Sequence, residues 1–195
     1  MNSKLNSKIL IIILPFFLGI FTSFSLPPYN FVILNFITFP ALLLLIINNS
    51  KKKINSFFIG TIFGFSYFLS NLYWITHSLT FDDKFKIFIP FALIMIPLFL
   101  GLFYGFACLV FSFFNIKKNF STILIFATIF SLIEFLRSFV LGGFPWNIIA
   151  YSWTNYLSFL QIISLIGTYT FNLLSITIFL FPFIFFLKLI TNQNY

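Results

Sequence analysis

The sequence predicts an all-α protein, a polytopic bundle of about six transmembrane helices with both termini in the cytoplasm. Three features carry that prediction. Of 195 residues, 61% are hydrophobic and 7% are charged, with a mean hydropathy of +1.09, whereas a soluble domain carries roughly 25% charged residues. The apolar residues gather into long runs. The lysines gather between alternate runs, which is how membrane orientation is written into a chain. That placement also argues against nucleic acid as the partner of a chain with a formal net charge of +8.

A spanning helix needs about 20 mainly apolar residues, because the hydrocarbon core is ~30 Å thick and a helix rises 1.5 Å per residue. Lipid cannot satisfy free backbone amides, and no stretch alternates with the period of a barrel strand, so helices are required. The first run, 9–26, follows Lys4 and Lys8 as a signal peptide would. It is long for that role and ends at Pro27-Pro28 without a small-residue cleavage site, so it reads as a retained span. After the uncharged turn Pro27–Asn30 comes the second run, 31–47. The connection Lys51–Lys53 leads to the third, 57–76, and Asp82, Asp83, Lys84 and Lys86 precede the fourth. The fourth, 87–114, is long and holds Pro90 and Pro97, which predicts a tilt or a kink. The fifth covers 120–138 after Lys117 and Lys118, and the sixth covers 167–187 before Lys188.

Counting lysine and arginine by alternate connection puts Lys4, Lys8, Lys51–Lys53, Lys117, Lys118 and Lys188 on one side. The charges of the 77–86 connection cancel on the other, where Arg137 also lies. The basic side is therefore expected in the cytoplasm. Tyr29, Tyr73, Trp74, Trp146, Tyr151, Trp153 and Tyr156 fall toward the outer side. They read either as interfacial anchors or as a lipid or partner site. Between the last two spans, 139–166 is too polar to span and too apolar for a solvated loop. It is expected along the outer interface, with a short helix over 157–165.

Few residues could carry chemistry. Glu134 and Arg137 stand three apart and share one helix face. Intramembrane charges are costly and mark functional sites by default, but a structural ion pair explains these two equally well. Gly60 with Gly64, and Gly101 with Gly105, place small residues on one face and predict close helix packing within the bundle rather than a dimer interface. Asn71 and His77 flank Tyr73-Trp74 and read as structural polar groups. Cys108, the one cysteine, lies among apolar residues and reads as inert rather than nucleophilic. One cysteine and one histidine cannot build a metal cluster, and no catalytic residue set or cofactor motif can be assembled.

The run Glu134-Phe135-Leu136-Arg137-Ser138-Phe139-Val140-Leu141-Gly142-Gly143-Phe144-Pro145-Trp146, followed by Ala150-Tyr151-Ser152, resembles a signature of bacterial apolipoprotein N-acyltransferase. Phe139 stands where that family usually has Trp or Tyr, and Ala150 stands where it has Gly. The turn Phe24-Ser25-Leu26-Pro27-Pro28-Tyr29, the stretch Phe63–Phe68 with Asn71 and Trp74, and Gly101-Leu102-Phe103-Tyr104-Gly105 resemble further family segments, in order along nearly the whole chain.

The resemblance implies a multi-pass protein of the bacterial inner membrane. It also implies transfer of an acyl chain from a phospholipid to the N-terminal diacylglyceryl-cysteine of lipoproteins. In the family, that reaction runs through a thioester on a cysteine of a nitrilase-like domain, assisted by Glu and Lys. No counterpart of that catalytic triad is expected in this sequence, which runs to Tyr195. The chain is expected to be the membrane domain alone, truncated or split, and inactive by itself. Glu134, Arg137, Phe144, Pro145, Trp146, Tyr151 and Trp74 are its candidate lipid- or substrate-facing residues. The expected partners are membrane phospholipid and a lipoprotein substrate or a separately encoded nitrilase-like domain. The competing class, a small transporter or channel subunit, lacks a chain of polar groups across the midplane and a visible inverted repeat.

Overall fold

The computed structural model describes residues 2–114, 120–143 and 145–184. It contains α1 (Asn2–Ser23), α2 (Asn35–Asn49), α3 (Lys53–Leu72), α4 (Ile89–Phe111), α5 (Phe120–Val140), the four-residue turns α6 (Leu157–Leu160) and α7 (Ile163–Ile166), and α8 (Thr168–Phe179). Stretches of 3₁₀ helix fill 32–34, 73–80, 83–88 and 149–153. Among the described residues, four helical stretches are long and apolar enough to cross a membrane: Val32–Asn49, Lys53–Thr80, Asp83–Phe111 and Phe120–Val140. Leu10–Ser23 and Thr168–Ile184 are apolar but shorter.

Several boundaries differ from those read in the sequence. The third α-helix ends at Leu72 and continues as 3₁₀ turns to Thr80, a tightening that hydropathy does not register. Pro90 sits in the first turn of α4, where its missing N–H has no partner to lose, so only Pro97 lies inside the helix. The interfacial helix expected over 157–165 is two short turns separated at Gln161-Ile162. Lys117, Lys118 and Lys188, together with the end of the sixth run, lie outside the described residues.

The helices close a ring. Going round it, α1 packs on α3, α3 on α4, α4 on α5, α5 on α8, α8 on α2, and α2 on α1. The centre is aromatic. Phe39 of α2 lies 6.2 Å from Phe63 of α3, 5.8 Å from Phe130 of α5 and 6.2 Å from Phe179 of α8, between ring centroids. Tyr104 of α4 lies 4.5 Å from Phe130. Edge-to-face and tilted contacts of this kind add to simple packing. Outside the ring, Phe17, Ile37, Phe58, Phe91, Phe99 and Leu132 are exposed, as a lipid-facing surface requires.

The tightest contact, between α3 and α4, depends on glycine. A Cβ at Gly60 would come within 2.4 Å of the Tyr104 carbonyl oxygen, and one at Gly105 within 2.1 Å of Thr61 Oγ1. At Gly64 it would lie 2.8 Å from the Gly101 Cα. Gly19 does the same for α1 against α3, where a Cβ would meet the Phe63 carbonyl oxygen at 2.2 Å.

Candidate functional site

A carboxylate and a guanidinium inside an apolar helix must find partners, because stranding either in a low-dielectric interior is expensive. Glu134 and Arg137 of α5 are both fully buried, and their nearest charged atoms are 3.9 Å apart, longer than a hydrogen bond. Their closer partners come from elsewhere. The Tyr104 hydroxyl of α4 donates to Glu134 Oε1 at 2.6 Å, and Asn172 Nδ2 of α8 donates to Oε2 at 2.5 Å. The Ile149 backbone amide faces the same carboxylate. Arg137 Nη2 donates to the Trp146 carbonyl at 2.5 Å, and its guanidinium lies 4.9 Å from the centre of the Phe68 ring. Its Nε and Nη1 are buried without a hydrogen-bond partner.

This network holds the segment after α5 in place. Gly142 and Gly143 both have positive φ, at +76° and +86°, with open space where a Cβ would stand, and the chain turns back over the bundle. Asn172 Oδ1 accepts from the Ala150 amide at 2.8 Å, so one carboxamide ties Glu134 to the 149–153 turn. The Tyr67 hydroxyl of α3 donates to the Asn147 carbonyl at 2.8 Å, and Trp153 Nε1 donates to Ser175 Oγ of α8 at 3.0 Å. Ser138 and Tyr169 share a further hydrogen bond. Three helices thus grip one irregular stretch.

Two clefts flank that stretch. One is an apolar groove of about 460 Å³ between α4 and the segment ends at Leu141 and Trp146, lined by Phe91, Met95, Ile96, Phe99, Leu141 and Trp146. The other is a polar notch of about 240 Å³ lined by Pro27, Asn71, Trp74, Asn147, Tyr151 and Thr154. A narrower pocket of about 170 Å³ adjoins it and shares Pro27, Asn71 and Trp74. Burial pushes the Tyr151 hydroxyl above the ordinary phenol range, with neighbouring Tyr169 acting the same way and Arg137 opposing.

The residues singled out from the sequence therefore separate into three places. Glu134 and Arg137 lie beneath the surface, Trp146 lines the groove, and Trp74 and Tyr151 share the notch. Pro145 is partly exposed beside Trp146, and Phe144 lies outside the described residues. Cys108 is fully buried against Gly60 and lines neither cleft. Tyr104 and Tyr67 fall inside segments that resemble the family but carry no site role in the sequence reading, and Asn172 falls in none. The available signal was a buried charge on one helix, which obliges polar residues on the facing helices. Among the described residues, no group of three or more His, Cys, Asp or Glu could hold a metal.

Residues 18–186 match the family described as the apolipoprotein N-acyltransferase N-terminal domain. The chain is similar to the apolipoprotein N-acyltransferase of Brucella melitensis biotype 1, at 33% identity over 176 residues covering 86% of this chain and 33% of the relative. The corresponding protein of Rhizobium rhizogenes is 30% identical over 195 residues, covering 92% of this chain and 36% of the relative. That of Agrobacterium fabrum is 32% identical over 173 residues, covering 84% and 32%. The chain spans about a third of the length of these curated relatives. It belongs to the apolipoprotein N-acyltransferase N-terminal domain family.

Proposed function

We propose that this chain is the membrane part of a lipoprotein N-acyltransferase of the bacterial inner membrane. It would hold phospholipid acyl chains, and the lipid-bearing end of a lipoprotein, at its outer face. The observation that carries this is the groove beside α4. One wall is a helix with much of its surface open to lipid, and the other is formed by Leu141 and Trp146, the latter anchored by Arg137 through its carbonyl. Lipid tails are as apolar as Phe and Met, so burial from water supplies no driving force here. The groove retains a chain by shape and dispersion contact. Cys108 is sealed inside α4, so the bundle's part in acyl transfer is to position chains rather than to attack an ester.

The same reading includes six crossings, with α1 and α8 joining the four longer helices, and with the basic connections in the cytoplasm. The ring closure and the alternation of lysines support it. Glu134, Arg137, Pro145, Trp146, Tyr151 and Trp74 then serve the outer, substrate-facing end, as would Phe144.

Photocrosslinking tests the groove. Protein in vesicles of phosphatidylethanolamine with a diazirine-bearing acyl chain should label most heavily at Phe91, Met95, Phe99 and Trp146. Equal labelling of exposed residues outside the groove, such as Phe113 and Leu132, would overturn the assignment.

A further inference from the structure

Trp146 and Asn147 are consecutive, yet Trp146 lines the apolar groove and Asn147 lines the polar notch. A single ligand lying across this ridge would meet hydrocarbon on one side and hydrogen-bonding groups on the other. The chemistry of the notch restricts what its polar end can be. Among the described residues, no charged side chain lines the notch or the pocket that adjoins it, which disfavours a phosphate, since phosphate sites are built from Arg, Lys or clustered amides. The lining instead offers the carboxamides of Asn71 and Asn147, each both donor and acceptor, and the hydroxyls of Tyr151 and Thr154. Trp74 and Pro27 supply flat apolar walls. Carboxamides paired with aromatic and proline surfaces suit an extended polypeptide backbone.

The notch is also held in advance. Asn71 Nδ2 donates to the Tyr67 carbonyl at 3.0 Å, and the Tyr67 hydroxyl holds the Asn147 carbonyl. Thr154 Oγ1 donates to Asn30 Oδ1 at 3.2 Å, joining the notch to the turn after α1. Asn147 has a left-handed backbone, at φ +45°, which sets where its carboxamide stands. A site organised before binding loses less entropy on closing around its ligand.

We propose that the notch binds uncharged polypeptide backbone immediately following the lipid-bearing residue of a lipoprotein substrate, while the chains lie in the groove. The proposal rests on the function proposed above and adds a peptide subsite to it.

Protein in phosphatidylcholine nanodiscs would be titrated with two probes. One is diacylglyceryl-cysteine extended by a short Gly/Ser/Asn peptide, and the other is the same lipid amino acid as a simple amide. The peptide probe should bind about tenfold tighter or more, as two or three hydrogen bonds to neutral groups provide. Asn147→Gly keeps the left-handed backbone, and Thr154→Val keeps the branched shape while removing the hydroxyl. Each should weaken the peptide probe by about threefold to tenfold and leave the amide probe unchanged. Equal affinity of the two probes would overturn the subsite while leaving the proposed function standing. Failure of both probes to bind would remove the proposed function as well. Displacement of the peptide probe by maltose would make the notch a sugar site and equally overturn the proposal.

Discussion

Replacing Glu134 with alanine tests the buried network directly. The carboxylate accepts from Tyr104 and from Asn172 and stands 3.9 Å from the Arg137 guanidinium. Its removal leaves a fully buried cation with one hydrogen bond, to Trp146, and takes the acceptor from three buried donors, the Tyr104 hydroxyl, the Asn172 carboxamide and the Ile149 amide. Breaking a buried charge pair from one side costs about 3–5 kcal/mol. The opposing magnitude is that of polar contacts between membrane helices, which average about 0.6 kcal/mol because the separated helices also find partners. The larger figure should win here, since Arg137 is enclosed within its own bundle and has no lipid headgroup to reach. For a chain of this size, 3–5 kcal/mol corresponds to a fall in Tm of about 6–20 °C, measured by tryptophan fluorescence in detergent micelles. Glu134→Gln should recover little. Its oxygen can still accept from Asn172 and its NH₂ can donate to the Tyr104 hydroxyl oxygen, but a neutral amide beside Arg137 supplies no opposite charge. A fall in Tm below about 4 °C for Glu134→Ala, or full recovery with Glu134→Gln, would refute the reasoning.

Other expectations follow from the same geometry. Gly19→Ala and Gly60→Ala should each lower Tm more than Gly142→Ala. The first two place a methyl within 2.2 and 2.4 Å of a backbone oxygen, whereas Gly142 meets nothing and costs only its left-handed backbone, about 1–2 kcal/mol. Because burial raises the Tyr151 hydroxyl in the folded chain, the unfolded chain releases that proton first. Stability should therefore be intact below pH ~10 and decline as pH rises above it, with Tyr151→Phe flattening the decline in a pH series of melts. In a Cys108→Ala background, a cysteine at Thr154 should react with a membrane-impermeant maleimide added outside spheroplasts, and one at Ser50 should not. The reverse pattern would invert the orientation.

Much of the bundle could be read from hydropathy because lipid imposes one rule on every crossing segment. The glycine pairs of α3 and α4 were visible for a related reason: four-residue spacing places both members on one face, and the close approach at Gly60, Gly64, Gly101 and Gly105 uses that face. Gly19 belongs to no such glycine pair and gave no sign of its contact with Phe63. Helix ends were less legible, since the change from α to 3₁₀ at Tyr73 alters hydrogen bonding without altering polarity. Trp74, Trp146 and Tyr151 could be named from the sequence, but not that they line two separate clefts. The notch joins residues from 26 to 154, and the partners of Glu134 lie 30 positions before it and 38 after, distances across which spacing carries no information. The charge pair drew attention to the right helix, but the three-residue interval suggested a bond between Glu134 and Arg137. The folded chain instead gives each a nearer partner of its own.

Asn172 is made 38 residues after Glu134, and this has a bearing on biogenesis. When α5 first leaves the ribosome and partitions toward lipid, Tyr104 is already present but the carboxamide is not. An incompletely partnered charge costs about 2.5–3.5 kcal/mol on insertion scales, so α5 is costlier to place in lipid before α8 is present. Burial of the Glu134 carboxylate is thereby tied to the arrival of α8, and a chain lacking α8 would leave that acidic group short of one partner.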